Sequence, residues 1–243
     1  LSTEDWDDGM ERVAAFTVRD EWLRLAGLKG YMDGSLGSRN AYMREPFADA
    51  SPAAKYPRGQ LTDFADPPAE LNERVALADA RGLQLAVHAI GDEANHLILN
   101  AYEAATRAKG PHDARHRVEH AQHLLATDIP RFATLGVVAS MQPFHKADDG
   151  RYAEKALGKA RLAGSYAFRP LLDAGAVMAF GSDWPVVTAD PFAGMDAAVN
   201  SRTLAGEGSQ AQNAITVREA LIAYTRSPAW AAHMETKLGT LRP

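Results

Sequence analysis

The chain has 243 residues, 46% apolar and 23% charged, with a net charge of -5 and no cysteine. That is an ordinary composition for one globular domain. It excludes a disulfide framework and a thiolate metal site, and the acidic balance argues against a nucleic-acid footprint.

No apolar run is long enough to span a bilayer. The acidic start, LSTEDWDDGMERV, does not read as a signal peptide, and the lack of cysteine fits a cytoplasmic location. In chain order, Trp6, Met10, Val13 and Phe16 recur at helical spacing, which predicts a helix from Thr3 to Ala26, stopped by Gly27. Leu28–Asp33 reads as a strand, followed by a flexible Gly34–Ser38 loop. Asn40–Pro68 carries five prolines and no period, so it reads as a long excursion. Pro67 and Pro68 open a helix to Arg81, and Gly82 ends it. Leu83–His88 is a short strand, with Leu83, Leu85 and Val87 on one face and Gln84, Ala86 and His88 on the other. A helix from Asp92 to Lys109 places Ala94, Leu97, Ile98, Ala101, Tyr102 and Ala105 on one stripe.

Arg115–Ala121 reads as a polar strand. A short helix from Asp128 to Leu135 precedes the strand Val137–Gln142. His145–Gly164 reads as a polar insertion. A helix from Tyr166 to Ala174 leads into the strand Ala176–Gly181, and the last helix opens on the capping box Thr216-Val217-Arg218-Glu219. Alternating strands and helices mean a parallel sheet with right-handed crossovers. A doubly wound sheet and a (β/α) barrel both fit that cadence, but five strands are too few to close an eight-stranded barrel. No glycine-rich nucleotide loop is present: Gly34-Ser35-Leu36-Gly37 has the wrong spacing.

Polar residues stand at the carboxyl ends of the strands: Lys29 to Asp33, His88, His120, Gln142 to His145, and Asp183. Catalytic sites of α/β barrels lie at that end, and neutral imidazole with carboxylate is the ligand set of a catalytic cation with an open position for water. Each residue alone has a plainer explanation. A lone strand-end histidine is more often a hydrogen-bonded one, His116 and His123 rival His120, and Asp183 before Trp184-Pro185 fits turn chemistry. An ammonium at Lys29 on an interior face needs a partner or a modification. His96 and His112 read as exposed, and His233 as a helix-terminus residue.

Taken together, GLKGYMDGSLGSR, HAIGDEAN, RHRVEHAQ, SMQPFH and FGSDWPV, in this order, resemble the amidohydrolase superfamily. The branch is that of N-substituted formamide deformylase-like enzymes, and the resemblance covers Ala26 to Gly239. It implies an α/β fold of the (β/α) TIM-barrel type and a metal-dependent hydrolase of non-peptide carbon–nitrogen bonds in a small amide substrate. It implies Lys29 as a bridging ligand of the fourth strand, a candidate for carboxylation. His88 and His120 become ligands after the fifth and sixth strands. Asp183 becomes the eighth-strand ligand that also moves the proton of the attacking water. Gln142 and His145 would face the substrate, with Trp184 and Arg39 as further candidates. The implied cofactor is a divalent metal, zinc by ligand type, as one or two ions in the whole enzyme.

The family pattern begins with a His-x-His pair, and no histidine precedes His88. The expectation is therefore one partial barrel over residues 1–243, about strands four to eight. It would be trimmed of the first strands and of the flanking β-sandwich. Such an open sheet exposes two edges, which predicts self-association, pairing with the missing N-terminal segment, or poor solubility. The competing reading is an inactive barrel fragment serving as an assembly or binding module. A phosphate-handling barrel ranks last, because Gly181-Ser182-Asp183 puts a carboxylate where a phosphate would sit.

Overall fold

The computed structural model describes residues 3–16, 22–204 and 210–241. Its centre is one parallel sheet of five strands: β1 (Gly27–Tyr31), β2 (Gln84–Ala89), β3 (Arg117–His120), β4 (Val138–Met141) and β5 (Met178–Phe180). They lie side by side in chain order. The helices are α1 (Thr3–Ala15), α2 (Pro68–Ala80), α3 (Asp92–Lys109), α4 (Ile129–Thr134), α5 (Pro143–Asp149), α6 (Ala153–Leu157), α7 (Phe168–Asp173), α8 (Pro191–Asn200), α9 (Val217–Tyr224) and α10 (Arg226–Ala231).

The period-2 alternation of each strand sorts its side chains between two faces. Leu85, Val87, Val118, Ala139, Met141, Met178 and Phe180 join the main core with Val75, Ile98, Tyr102, Phe132 and Phe168 from the helices. Burying a side chain such as Leu85 or Phe132 contributes about 1.5–3 kcal/mol, so this face holds the sheet to its helices. Lys29, Tyr31, His88, Arg117, Glu119 and Ser140 alternate with those residues and belong to the other face. The register pairs Tyr31 with His88, His88 with Glu119, and Glu119 with Ser140. Polar side chains therefore run across neighbouring strands.

Both ends of the polar face are covered. At the amino ends of the strands, α10 packs across. Val138, Ala179 and Ala231 form a small apolar cluster with Trp230 against it. The Gln84 amide donates to the carbonyls of Arg115 (2.8 Å) and Ala231 (2.7 Å). At the carboxyl ends, Leu36, Ala41, Met43 and Phe47 pack with Ile90 and with Ala153, Ala156 and Leu157. The excursion after β1 and the segment after β4 thus form one roof.

Several expectations change here. The first helix ends at Ala15; residues 17–21 lie outside the described residues. Ala26 already accepts the Gln84 N–H, which requires extended chain there. His145–Gly164 is helical rather than an irregular insertion, with α5, α6 and a 3-10 turn over Lys159–Gly164. Its small apolar residues are what cover the excursion. Helix α8 was not anticipated, although Asp190-Pro191 is a start signal: the Asp190 side chain accepts the Phe192 N–H. Helix α3 and the Thr216–Glu219 capping box occur as expected.

Candidate functional site

A cavity of about 430 Å³ opens at the carboxyl ends of the strands, and Lys29, Tyr31, His88, His120, Gln122, His145 and Asp183 contribute to its wall. Ser35 and Leu36 from the excursion after β1, Asp148 and Asp149 at the end of α5, and Tyr152 add to it. Four of the eight residues expected at a site from the sequence belong to this wall as candidate ligands, and His145 joins them.

His88 comes from the end of β2. Its ring lies 4.5 Å, centroid to centroid, from that of His120, edge to face. Its Nε2 is 3.4 Å from Asp33 Oδ1, without the alignment of a hydrogen bond. Asp33 is itself fixed: it accepts the backbone N–H groups of Tyr42 (2.7 Å), Ile90 (3.0 Å) and Gly91 (2.8 Å). This carboxylate staples β1 to the turn after β2. Gly91 is required at that turn, because a Cβ there would stand 2.1 Å from the Tyr42 carbonyl oxygen.

His120 closes β3 with a backbone φ of 75°, and Ala121 follows at 44°. Non-glycine residues rarely hold this left-handed conformation, and such strain concentrates at functional sites. Strict alternation would send His120 to the helix side with Val118. The left-handed step explains how its ring reaches the cavity instead. His120 Nδ1–H donates to Gln142 Oε1 at 2.7 Å. The Gln142 amide N–H₂ donates to the Ser140 carbonyl at 3.3 Å, which fixes which way the carboxamide points. His120 is left with its Nε2 lone pair free. Burial, then the neighbouring His88, lowers its pKa to about 3, so the ring is neutral at physiological pH.

Asp183, after β5, also has a left-handed φ, 59°. Its Oδ2 is 4.0 Å from His145 Nε2. The nearest ligand atoms of His120, His145 and Asp183 lie within 4.8 Å of one another. Burial lowers the pKa of His145. Lys29 is half-buried, and burial lowers its pKa against the opposing charges of Glu119 and Asp183. Its Nζ sits 5.2 Å from the Tyr31 ring centroid.

Three residues expected to face a substrate do not belong to the cavity wall. Both ends of the Gln142 carboxamide are held by His120 and Ser140, so it orients a histidine. Arg39 makes two hydrogen bonds to Asp49, at 2.9 and 2.6 Å, and lines a different cleft. Trp184 is 71% exposed and stands outside the cavity wall. Sequence reading missed Gln122, Glu119 and the Asp149–Tyr152 pair. Glu119 was detectable, since alternation with Val118 puts it on the polar face. It accepts from Ser140 Oγ at 2.6 Å and pairs with Arg117 at 3.0 Å. Asp149 accepts from the hydroxyls of Tyr152 and Tyr166, a roof contact that no local pattern announces.

The other histidines hold structure. His96 is half-buried rather than exposed, and its Nδ1 pairs with Asp128 at 3.0 Å. His123 is buried against Ser165 Oγ at 2.8 Å. His233 lies 3.9 Å from Asp113. At the amino ends of the strands, His112 and His116 both reach Asp79 Oδ1, at 2.7 and 3.0 Å. That trio has the composition of a metal site, but its atoms are already committed. The Leu85 N–H donates to His116 Nδ1 at 3.1 Å, so the proton of the ring stands on Nε2, where a ligand would need a lone pair. Lys109 Nζ is also 3.9 Å from Asp79 Oδ1.

The fold and site define a parallel α/β protein with imidazole, carboxylate and amine groups converging at the carboxyl ends of its strands. Residues 3–243 match the model of the amidohydrolase family, and the chain belongs to that family. Protein LONG AFTER FAR-RED 3 of Arabidopsis thaliana is 41% identical over 93% of this chain and 38% of its own length. N-substituted formamide deformylase of Arthrobacter pascens is 31% identical over 71% of this chain and 32% of its own. An uncharacterized metal-dependent hydrolase of Pyrococcus furiosus superposes with a TM-score of 0.81 at 31% identity, covering 99% of this chain and 47% of that one. The chain thus spans less than half the length of these relatives. No helix among the described residues is long and apolar enough to cross a membrane.

Proposed function

We propose that this chain carries part of the active site of a metal-dependent hydrolase that cleaves the carbon–nitrogen bond of a small amide or formamide. In this reading the sheet is a partial (β/α) barrel, and the rest of the barrel supplies further ligands. The observation that carries the proposal is the ligand state of His120. A buried neutral ring is anchored through Nδ1–H to Gln142, with Nε2 left free beside His88 and Asp183. Metal-bound histidines are held in this way by an acceptor on the other ring nitrogen.

The donor set fits a divalent cation. His88 and His120 would hold it, with Asp183, and Lys29 would join as an amine or, once carboxylated, as a carbamate. Nitrogen and oxygen donors without sulfur suit zinc, and also manganese, iron or nickel. A cation held there supplies the Lewis acidity that makes water a nucleophile at neutral pH. Asp183 is 42% exposed at its side chain, so its carboxylate reaches the cavity and accepts the proton of the attacking water. It then returns that proton to the departing nitrogen. The partners are a small amide and the remainder of the barrel, in a cytoplasmic setting. Elemental analysis of the purified chain tests the reading. We expect about one zinc per chain, lost in a His88→Ala/His120→Ala double variant. No metal in the unaltered protein, or metal that survives the double variant, would reject it.

A further inference from the structure

We infer that Gln122 sets His145 as a neutral hydrogen-bond donor to the substrate carbonyl oxygen, rather than as a metal ligand. The inference rests on the hydrolase reading above and assigns a further catalytic residue and its positioning residue.

The argument turns on which ring nitrogen carries the proton. An amide nitrogen can only donate. Gln122 Nε2 lies 3.4 Å from His145 Nδ1, so His145 Nδ1 must accept, and the single proton of the neutral ring stands on Nε2. His120 has the opposite arrangement, because its Nδ1 faces the oxygen end of Gln142 at 2.7 Å. Two glutamines thus present opposite ends to two histidines. One histidine offers a lone pair to the cavity and the other offers an N–H.

The N–H of His145 has no partner among the described residues. Its Nε2 is buried and makes no hydrogen bond. Asp183 Oδ2 stands 4.0 Å away, too far for one. The residue is 8% exposed and forms part of the cavity wall. A buried donor without an acceptor is costly, and an acceptor brought by the ligand relieves that cost. An amide brings its carbonyl oxygen, which gains negative charge as the carbon becomes tetrahedral. A fixed neutral donor at that point favours the transition state over the ground state.

The test is the tautomer of His145, read by long-range nitrogen–proton correlation spectra of the histidine-labelled chain, with His145→Gln for assignment. The expected result is a proton on Nε2 and a lone pair on Nδ1. A proton on Nδ1 overturns the inference. Gln122→Glu places an acceptor where the donor was and is expected to move a proton onto Nδ1; an unchanged tautomer removes Gln122 from the account. Zinc content gives a second readout. His145→Gln is expected to keep its zinc, and loss of zinc in that variant overturns the donor role. Zinc retained after His120→Ala with His88→Ala would instead count against the hydrolase reading. In the whole enzyme, with a simple N-substituted formamide as probe, His145→Gln is expected to lower kcat about 100-fold or more with little change in KM. Unchanged kcat overturns the catalytic part.

Discussion

Two clusters of two histidines and one aspartate sit at opposite ends of the same sheet. At the carboxyl ends, His120, His145 and Asp183 line a cavity. At the amino ends, His112, His116 and Asp79 meet on one carboxylate oxygen. Residue type does not separate them; the state of their lone pairs does. In the lower cluster the Leu85 N–H occupies His116 Nδ1, and the proton on Nε2 is given to Asp79. That cluster ties the segment before β3 to α2. In the upper cluster the Nε2 atoms have no hydrogen-bond partner among the described residues, and a carboxamide sets each ring. Saturated hydrogen bonds make a fastening, and unsaturated ones make a site.

The sharpest way to break this contrast is to remove a ligand. His120→Ala is expected to abolish metal binding, and His116→Ala to leave the metal content unchanged, both by elemental analysis after dialysis. Equal loss in both would erase the distinction. Next, Asp79→Ala should cost about 3 kcal/mol in urea unfolding, because it strands buried donors, with metal content again unchanged.

Gln142→Leu should weaken metal affinity about 10–100-fold, the usual effect of removing an outer partner of a ligating histidine. Competition with a chelator of known affinity measures it. Stability should also respond to acid. Burial lowers the pKa of His120 and His123 to about 3, below the ordinary value near 6.5. The unfolded chain therefore takes up protons first, and stability is lost as pH falls from 6.5 toward 3. At pH 5 one such ring costs about 2 kcal/mol. Urea midpoints at pH 7 and pH 5 should show the loss, and bound zinc should reduce the share due to His120. The smallest effect is expected far from both clusters: Thr216→Ala removes the α9 cap at about 1 kcal/mol, read as a lowered urea midpoint with metal content unaltered.

Much of the fold was legible because its signals are local. The stripe from Ala94 to Ala105 and the terminating Gly110 place α3 where it occurs. The Thr216–Glu219 pair places α9. The α5–α6 segment was missed because its polar residues mask the few small apolar ones that cover Phe47 and Met43. Of the candidate site, His88, His120 and Asp183 were readable as polar residues at the carboxyl ends of strands. Gln122 was not, since nothing in His-Ala-Gln-His says which glutamine meets which ring.

By itself the sequence determined the strand–helix cadence, the end of the sheet where polar groups gather, and the family. These follow from periodicities of two and 3.6 residues and from short ordered motifs, which need only neighbouring residues. Tertiary structure decided the rest. It turned His120 inward through a left-handed step. It bound Arg39 to Asp49, and it set Gln142 and Gln122 with opposite ends toward two histidines. Those outcomes depend on contacts across 10 to 23 positions of chain. A hydrogen bond between distant segments has a direction only once packing has brought its two ends together.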